Sequence, residues 1–117
     1  AASTGCVVLL KGAPSVVAAP DEPVLVNTVG SSDVAAAGMG DQLAGVIGAL
    51  LAARHDARTS AALGLFYSGR AADLAARGRS LSPLDVSDHL HRAFASPGAR
   101  RPPLDLPFVT FDQPPRR

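Results

Sequence analysis

The residues best suited to chemistry are Gly38-Met39-Gly40-Asp41, placed where a glycine-containing loop gives way to an apolar segment. Glycines let a backbone approach a ligand closely, because no Cβ stands in the way. A helix beginning there would present unpaired N–H groups and the positive end of its dipole, which together bind phosphate. A carboxylate in its first turn, such as Asp41, could take a proton from a hydroxyl aimed at that phosphate. The alternative is a tight turn followed by an ordinary N-terminal helix acid.

A second stretch with phosphate-binding chemistry lies upstream, where Lys11 and Gly12 follow an apolar run and Ser15 adds a hydroxyl. A lysine ammonium pairs with phosphate as a mobile point charge. Taken alone, Lys11 would be a solvated lysine at the end of a strand. Taken with the glycine run, the two stretches indicate phosphoryl transfer to a hydroxyl.

Strands are predicted on both sides of Lys11. Residues 6–10 form a short run rich in Val and Leu, which predicts a strand buried on both faces. Residues 16–19 and 24–26 are two further β-type runs separated by a Pro-Asp-Glu-Pro turn, so a hairpin is expected. Residues 27–40 keep neither a helical nor a strand period and are predicted to form a loop.

The helix after this loop is expected over residues 41–53, which are apolar almost all round. A helix without a polar face is typical of a buried helix. Gly45 and Gly48 each lower helix stability by about 1 kcal/mol relative to Ala. These glycines therefore predict that another element packs closely against the helix.

Two more helices follow in the sequence. The first is expected to begin at a cap formed by Thr59 or Ser60 and to end near residue 77, before Gly78. Its Phe66 and Tyr67 are predicted to belong to the core. The last helix is predicted to begin at Ser82, followed by a proline and an early acid.

Composition favours one α/β unit. The chain has 117 residues, of which 47% are apolar and 18% charged, with no Trp, so the core must use small side chains and close helix contacts. A net charge of +1 gives no case for nucleic acid or an anionic membrane as a partner. Residues 97–117 hold six of the ten prolines and are predicted to be an extended tail whose LPFVTF segment could dock as an edge strand.

The remaining residue types indicate a reducing, cytoplasmic setting. Cys6 is the only cysteine and is interpreted as a buried small hydrophobe. No secretion signal or membrane-spanning run is visible. His55, His89 and His91 are interpreted as surface residues, since no second set of ligands completes a zinc site. The arginines are interpreted as a solvated surface and tail.

Three segments together resemble the NAD(P)H-hydrate dehydratase family, whose fold is ribokinase-like: VVLLKGAPSVVAAPDEPVLVN, AAAGMGDQLAGVIGALLA and AALGLFYSGRAADLAARG. The most specific part is GMGD and the apolar run after it, with KGA upstream. The resemblance implies an α/β/α sandwich of which residues 1–96 are the C-terminal portion: short strands, a glycine loop and three helices.

The resemblance also implies a reaction. NADH or NADPH hydrated at the nicotinamide ring would be restored with ADP as co-substrate, giving NAD(P)H, AMP and phosphate. Asp41 would activate the ring hydroxyl, and Asp41 and Asn27 would contact the hydrated cofactor. Mg²⁺ would accompany the phosphates, with no side chain assigned as a metal ligand. The nucleotide would be bound by Lys11, Gly12, Ala13, Pro14, Ser15, Gly38 and Gly40.

The chain departs from the family pattern in residues and in length. The family commonly has Thr where Ser15 stands, Val at Gln42 and Asn at Ser31, and often has Gly at Ala37. Its catalytic domain is more than twice as long, and its N-terminal part supplies much of the substrate pocket. We therefore expect this chain to be a fragment, or to pair with the missing N-terminal half, and to form a homo-oligomer.

Two other functions remain open at this point. A ribokinase-like kinase of a sugar or vitamin alcohol would share the fold and the aspartate, although GMGD with KGA favours the dehydratase. A truncated relative would bind a nucleotide or a partner without catalysis. ADP binding without turnover would distinguish this last function from the other two.

Overall fold

The computed structural model describes residues 1–30, 34–95 and 108–111. These residues form a four-stranded sheet and three α-helices, and the sheet order is β1-β2-β3-β4. All neighbouring strands pair antiparallel. This arrangement confirms the α/β class expected from the sequence. The strands are β1 (Val8–Leu10), β2 (Val16–Ala18), β3 (Val24–Asn27) and β4 (Phe108–Phe111).

The predicted hairpin is present as β2 and β3, in a register that pairs Val17 with Leu25. The prediction that the first strand is buried on both faces is wrong for this chain. β1 is an edge strand, and Val8 and Leu10 are 41% and 67% exposed while Leu9 points inward. Cys6 is also exposed, because it precedes this edge strand rather than lying inside the sheet. Apolar composition alone did not reveal which face would be covered.

The strand β4 confirms that the LPFVTF segment can dock as an edge strand. Its backbone pairs with β3 over the whole of β3, from Val24 opposite Phe111 to Asn27 opposite Phe108. The prediction of an extended tail otherwise falls on residues outside the described ranges. The division into residues 1–96 and 97–117 therefore stays a prediction.

The first helix, α1 (Met39–Ala52), begins two residues earlier than predicted. It buries a single stripe of side chains: Met39, Leu43, Val46 and Leu50. Its opposite face is exposed, and a Cβ added at Gly45 or Gly48 would meet no atom within 4 Å in the described part of the chain. The predictions of an all-round buried helix and of close packing at these glycines are therefore wrong for this chain.

The second helix, α2 (Ala57–Ala75), is capped by Asp56 and not by Thr59 or Ser60, because the Asp56 carboxylate accepts a hydrogen bond from the Thr59 amide at 2.9 Å. Its last residue is Ala75, two residues before the predicted end near residue 77, and Ala76 follows in the left-handed conformation. The third helix, α3 (Pro83–Phe94), begins as predicted after Ser82. A short 3-10 helix, Gly78–Ser80, joins the two.

The core is built from small side chains and close helix contacts, as the composition predicts. α2 packs against α1 and α3 and against β2 and β3. A Cβ at Gly64 of α2 would lie 2.5 Å from Ile47 of α1, so this crossing requires glycine. Phe66 and Tyr67 are half-buried, and Tyr67 stacks on Phe94 with ring centroids 4.1 Å apart. The buried clusters contain Met39, Ala71, Ala72, Leu81, Val86 and Ala93 on one side and Val17, Leu43, Ala61 and Leu65 on the other.

None of the helices among the described residues combines the length and the apolar character that a transmembrane segment requires.

Candidate nucleotide site at the start of α1

A cavity of about 750 Å³ opens between the loop after β1, the end of β3 and the first turn of α1. Its size falls in the range of small-molecule sites, roughly 300–1,000 Å³. Seven residues singled out from the sequence line it, so the fold brings together two stretches that are more than 20 residues apart in the chain. These residues are Lys11, Gly12, Ala13, Pro14, Ser15, Asn27 and Gly40.

The contact between Lys11 and Gly40 defines the polar end of this cavity. A Cβ added at Gly40 would lie 2.5 Å from the Lys11 Nζ atom, closer than any real Cβ contact. The absence of a side chain at residue 40 therefore lets the ammonium group lie against the first turn of α1. Lys11 is the one charged side chain among the described residues that line the cavity. An anion bound here would meet a cation and a helix N-terminus together.

The start of α1 has the geometry of an open helix end. Gly38 is the N-cap residue with a φ of 84°, in the left-handed region that glycine adopts without strain. Within the described residues, no side chain caps this end of the helix. A Cβ at Gly38 would lie 3.0 Å from Pro83 Cγ, so the first residue of α3 packs directly on this turn. Gly38 itself does not line the cavity but shapes the turn that does.

The start of α3, which supports that turn, is fixed by a reciprocal capping box. The Ser82 hydroxyl accepts a hydrogen bond from the Asp85 amide at 3.3 Å, and the Ser82 amide donates to the Asp85 carboxylate at 2.9 Å. The hydrogen bonds from Ser82 lower the pKa of Asp85, and Arg77, 3.3 Å away, lowers it further. Val86 of the same turn lines the cavity.

The loop after β1 is held in shape by its own hydrogen bonds. The Gly12 amide donates to the Ser15 hydroxyl at 3.2 Å, and the hydroxyl donates to the Gly12 carbonyl at 3.0 Å. The Ser15 carbonyl accepts a hydrogen bond from the backbone amide of Asn27 at 2.9 Å, which ties the loop to the end of β3. The Ser15 hydroxyl thus closes the loop through local backbone contacts.

Asn27 shapes the opposite wall of the cavity. Its side-chain amide donates to the Val29 carbonyl at 2.7 Å, and its side-chain oxygen accepts from the Val29 amide at 3.2 Å. Val29 in turn lies against Gly69 of α2, where an added Cβ would be 3.0 Å from the Val29 carbonyl oxygen. The Asn27 side chain therefore holds the strand end in place, and its predicted contact with the substrate stays a prediction.

Asp41 lies on the other side of the same helical turn. Its side chain is exposed, and it borders a shallower groove between α1 and α3 rather than the large cavity. The groove also includes Val46, Leu90 and Phe94. The first turn of α1 thus separates two surfaces, with Gly40 on the cavity and Asp41 on the groove.

The contributions of α2 and α3 to the cavity were not predicted from the sequence. Ser68 and Gly69 of α2 and Val86 of α3 line it, as does Gln42 of α1, which was noted only as a departure from the family pattern. Gly69 inside α2 was the available signal in the sequence, because a glycine within a helix can mark a place where another backbone approaches closely.

In the described part of the chain, no three His, Cys, Asp or Glu residues are grouped so that they could hold a metal ion. His55 and His91 are exposed, as predicted, and His89 is half-buried. The His89 Nδ1 atom lies 2.8 Å from the Asp85 carbonyl oxygen of the same helix.

These features define an α/β protein in which a lysine ammonium lies against the glycine-flanked start of a helix. Comparison with known proteins then identifies the family: residues 1–92 match the NAD(P)H-hydrate dehydratase family. The chain belongs to this family, as the resemblance of its motifs indicated. No solved structure gives a significant match.

Several curated proteins are similar to this chain. A bifunctional NAD(P)H-hydrate repair enzyme of Mycobacterium leprae is 51% identical over 74 residues, 63% of this chain and 16% of that protein. Its counterpart in Methanopyrus kandleri is 33% identical over 100 residues, 84% of this chain and 20% of that protein. An ADP-dependent (S)-NAD(P)H-hydrate dehydratase of Neisseria meningitidis is 43% identical over 70 residues, 60% of this chain and 24% of that protein. The chain therefore spans about a quarter or less of the length of these relatives.

Proposed function

We propose that the chain takes part in the ADP-dependent dehydration of hydrated NADH or NADPH, giving NAD(P)H, AMP and phosphate. The observation that carries this proposal is the convergence of Lys11 and Gly40 at an open helix start, with Asp41 on the next residue. Family membership and the printed name of the Neisseria meningitidis relative support the choice of reaction and of ADP.

The cavity suits the nucleotide. Its polar end, at Lys11 and Gly40, would receive the phosphates of ADP, and the loop of residues 11–15 would surround them. Its walls beyond that end are apolar and include Val26, Leu43 and Leu65, as a site for a base requires.

Asp41 suits the second substrate. In the proposed reaction its carboxylate removes the proton from the ring hydroxyl while that oxygen attacks the terminal phosphate of ADP, and AMP leaves. Loss of the resulting phosphate together with a ring proton restores the double bond of the reduced nicotinamide. Because Asp41 follows Gly40 directly, the base and the phosphate end are separated only by the first turn of α1.

Mg²⁺ fits this scheme as a companion of the nucleotide. We assign no side chain as its ligand, and the ion would accompany the phosphates of ADP, as is usual for Mg²⁺. Neutralising phosphate charge is the chemistry that the ion would supply when bound.

The partners and the location expected from the sequence are part of the proposal. The exposed edge strand β1 and the bare outer face of α1 are surfaces that an N-terminal part of the domain or a second copy of the chain would cover. A cytoplasmic location agrees with the lone unpaired cysteine. Light scattering of the purified chain measures whether a second copy binds.

The direct test is to incubate the chain with hydrated NADH, ADP and Mg²⁺ and follow the return of absorbance from the reduced nicotinamide. We expect recovery with the native chain and at least a roughly hundredfold slower rate with Asp41→Asn, because general-base catalysis typically contributes 10²–10⁴-fold. Asp88→Asn, a change at an exposed acid on α3, is the matched control and should retain the native rate.

Other outcomes of this experiment distinguish the remaining functions. ADP binding without turnover by the folded chain would contradict catalysis by this chain alone and favour a nucleotide-binding relative. Phosphorylation of a sugar or vitamin alcohol, with no action on the hydrate, would replace the dehydratase with a kinase of the same fold.

A further inference from the structure

The loop that follows β3 crosses α2 at a pair of glycines, Gly30 and Gly69. A Cβ added at Gly69 would lie 3.0 Å from the Val29 carbonyl oxygen and 3.2 Å from the Val29 carbonyl carbon. A Cβ added at Gly30 would lie 3.3 Å from the Gly69 Cα atom. The loop and the helix therefore meet backbone to backbone, and even a methyl group at residue 69 would require Val29 to shift.

Asn27 holds Val29 at this crossing. Its side-chain amide donates a hydrogen bond to the Val29 carbonyl at 2.7 Å, and its side-chain oxygen accepts one from the Val29 amide at 3.2 Å. The backbone amide of Asn27 is itself bonded to the Ser15 carbonyl at 2.9 Å. The position of the loop is therefore fixed twice, by α2 through Gly69 and by the end of β3 through Asn27.

The crossing forms part of the wall of the large cavity, which Val29, Gly30 and Gly69 all line. Val29 is half-buried and Gly30 is exposed, so both keep surface that a ligand can reach. The three residues carry no charge, and the amide and carbonyl of Val29 are both bonded to Asn27. The crossing therefore suits an uncharged group, whereas Lys11 supplies the charge that phosphate requires.

We propose that the crossing of Gly30 over Gly69 sets the wall against which the nucleoside part of ADP packs, with Gly69 and Asn27 as positioning residues. Gly69 acts through its lack of a side chain, which lets the loop lie close to α2. Asn27 acts through its two hydrogen bonds to Val29. This inference rests on the proposed function, because it takes ADP as the occupant of the cavity.

The test measures the binding of ADP and of inorganic pyrophosphate to the full chain by isothermal titration calorimetry. Pyrophosphate has no nucleoside, so it reports on the end of the cavity at Lys11 and Gly40 alone. Gly69→Ala should weaken ADP by about 3- to 10-fold, because the wall must shift to admit the methyl group, and should leave the Kd for pyrophosphate at its native value. Asn27→Ala releases Val29 without adding an atom and should give the same pattern.

The ratio of the two affinities distinguishes a positioning role from a loss of stability. Both ligands bind only the folded chain, so partial unfolding would weaken ADP and pyrophosphate by the same factor. The pattern expected for a positioning residue is a loss confined to ADP.

Gly64→Ala is the matched control, since it adds the same methyl group to the same helix, 2.5 Å from Ile47 Cγ1 and away from the residues that line the cavity. It should lower the melting temperature more than Gly69→Ala does and leave both affinities of the folded chain unchanged.

Native ADP affinity in Gly69→Ala and Asn27→Ala would overturn the inference alone, as would equal losses for ADP and pyrophosphate. If Gly69→Ala does not fold, Asn27→Ala decides between the same outcomes. Failure of the native chain to bind ADP would overturn the inference together with the nucleotide role of the cavity.

Discussion

The three helices of the chain begin in two different ways. α2 and α3 close their own N-termini: the Asp56 carboxylate accepts from the Thr59 amide, and Ser82 and Asp85 bond each other. α1 begins at Gly38 without a side-chain cap among the described residues, and a lysine ammonium lies against its first turn. The capped ends have a side-chain acceptor of their own, whereas the α1 start combines the positive end of a helix dipole with a cation.

This difference distinguishes the two helix starts that stabilise the fold from the helix start that we propose to bind a ligand. A side-chain cap supplies the acceptor that a helix N-terminus needs, typically worth about 0.5–2 kcal/mol, and leaves no room for a ligand. At the α1 start, backbone carbonyls accept from the Met39 and Asp41 amides, and among the described residues no side-chain acceptor occupies the place that a bound phosphate could take. Changes at the α1 start should therefore alter ligand binding, and changes at the other starts should alter folding.

The largest effect is expected for Gly40→Ala. The new methyl group would displace the Lys11 ammonium from the first turn of α1, because the two would otherwise lie 2.5 Å apart. The lysine tip can move, so the fold should persist and the melting temperature should change little. We expect the Kd for ADP to rise at least tenfold, about 1.4 kcal/mol, as measured by calorimetry.

Gly48→Ala is the control for this change, since it adds the same methyl group to the same helix where nothing in the described chain lies within 4 Å. Its affinity for ADP should equal that of the native chain. Equal losses of ADP affinity in Gly40→Ala and Gly48→Ala would contradict the proposed role of the α1 start in binding.

A smaller effect is expected for Ser82→Ala at the start of α3. Loss of the cap should lower the free energy of unfolding by about 1 kcal/mol, measured by urea denaturation. Because Pro83 packs on the Gly38 turn, some loss of ADP affinity is expected, but less than for Gly40→Ala. A larger loss of affinity than of stability would mean that α3 also belongs to the ligand site.

The capped starts should also give the chain a dependence on acid. Hydrogen bonds from Thr59 and from Ser82 lower the pKa values of Asp56 and Asp85 below those of the unfolded chain. Their stabilising contribution is therefore present above the unfolded pKa of about 3.9 and is lost as pH falls through the lowered native pKa. Asp56→Asn keeps a capping oxygen that does not titrate, so its melting temperature should fall less between about pH 4 and pH 2 than that of the native chain. An equal fall in melting temperature of the native chain and of Asp56→Asn across that pH range would contradict this assignment.

The smallest effect is an increase in stability on the uncovered face of α1. Gly48→Ala should raise the free energy of unfolding of this chain by about 0.5–1 kcal/mol, because Ala is the better helix former and its methyl group meets nothing. A destabilising result would show that a second copy covers this face in solution.

Local features of the fold were predictable from the sequence. The Ser82 start of α3 and the hairpin of β2 and β3 follow from turn and capping residues that act within a few positions. The meeting of Lys11 with Gly40 was expected only through the resemblance to the family, since loop closure over nearly 30 residues depends on the sheet.

Features that depend on which surfaces meet were not predictable. Gly45 and Gly48 gave the same signal as Gly64 and Gly69, yet within the described ranges only the α2 pair lies against a neighbour. An apolar run does not reveal which of its faces another element covers, which is why β1 and Cys6 were wrongly expected to be buried. The contribution of α2 to the cavity wall was not predictable for the same reason, because it depends on where Gly69 meets Val29.

The most direct test of the account is an amide NMR titration of the isotopically labelled chain with ADP. Because the α1 start is proposed to bind the phosphates, the largest shifts should fall on the amides of residues 38–42 and of Lys11 and its loop. The capped start of α2, residues 57–60, should stay unshifted. Shifts centred on the α2 start, or no shifts in a folded chain, would contradict the claim that the uncapped helix start is the nucleotide site.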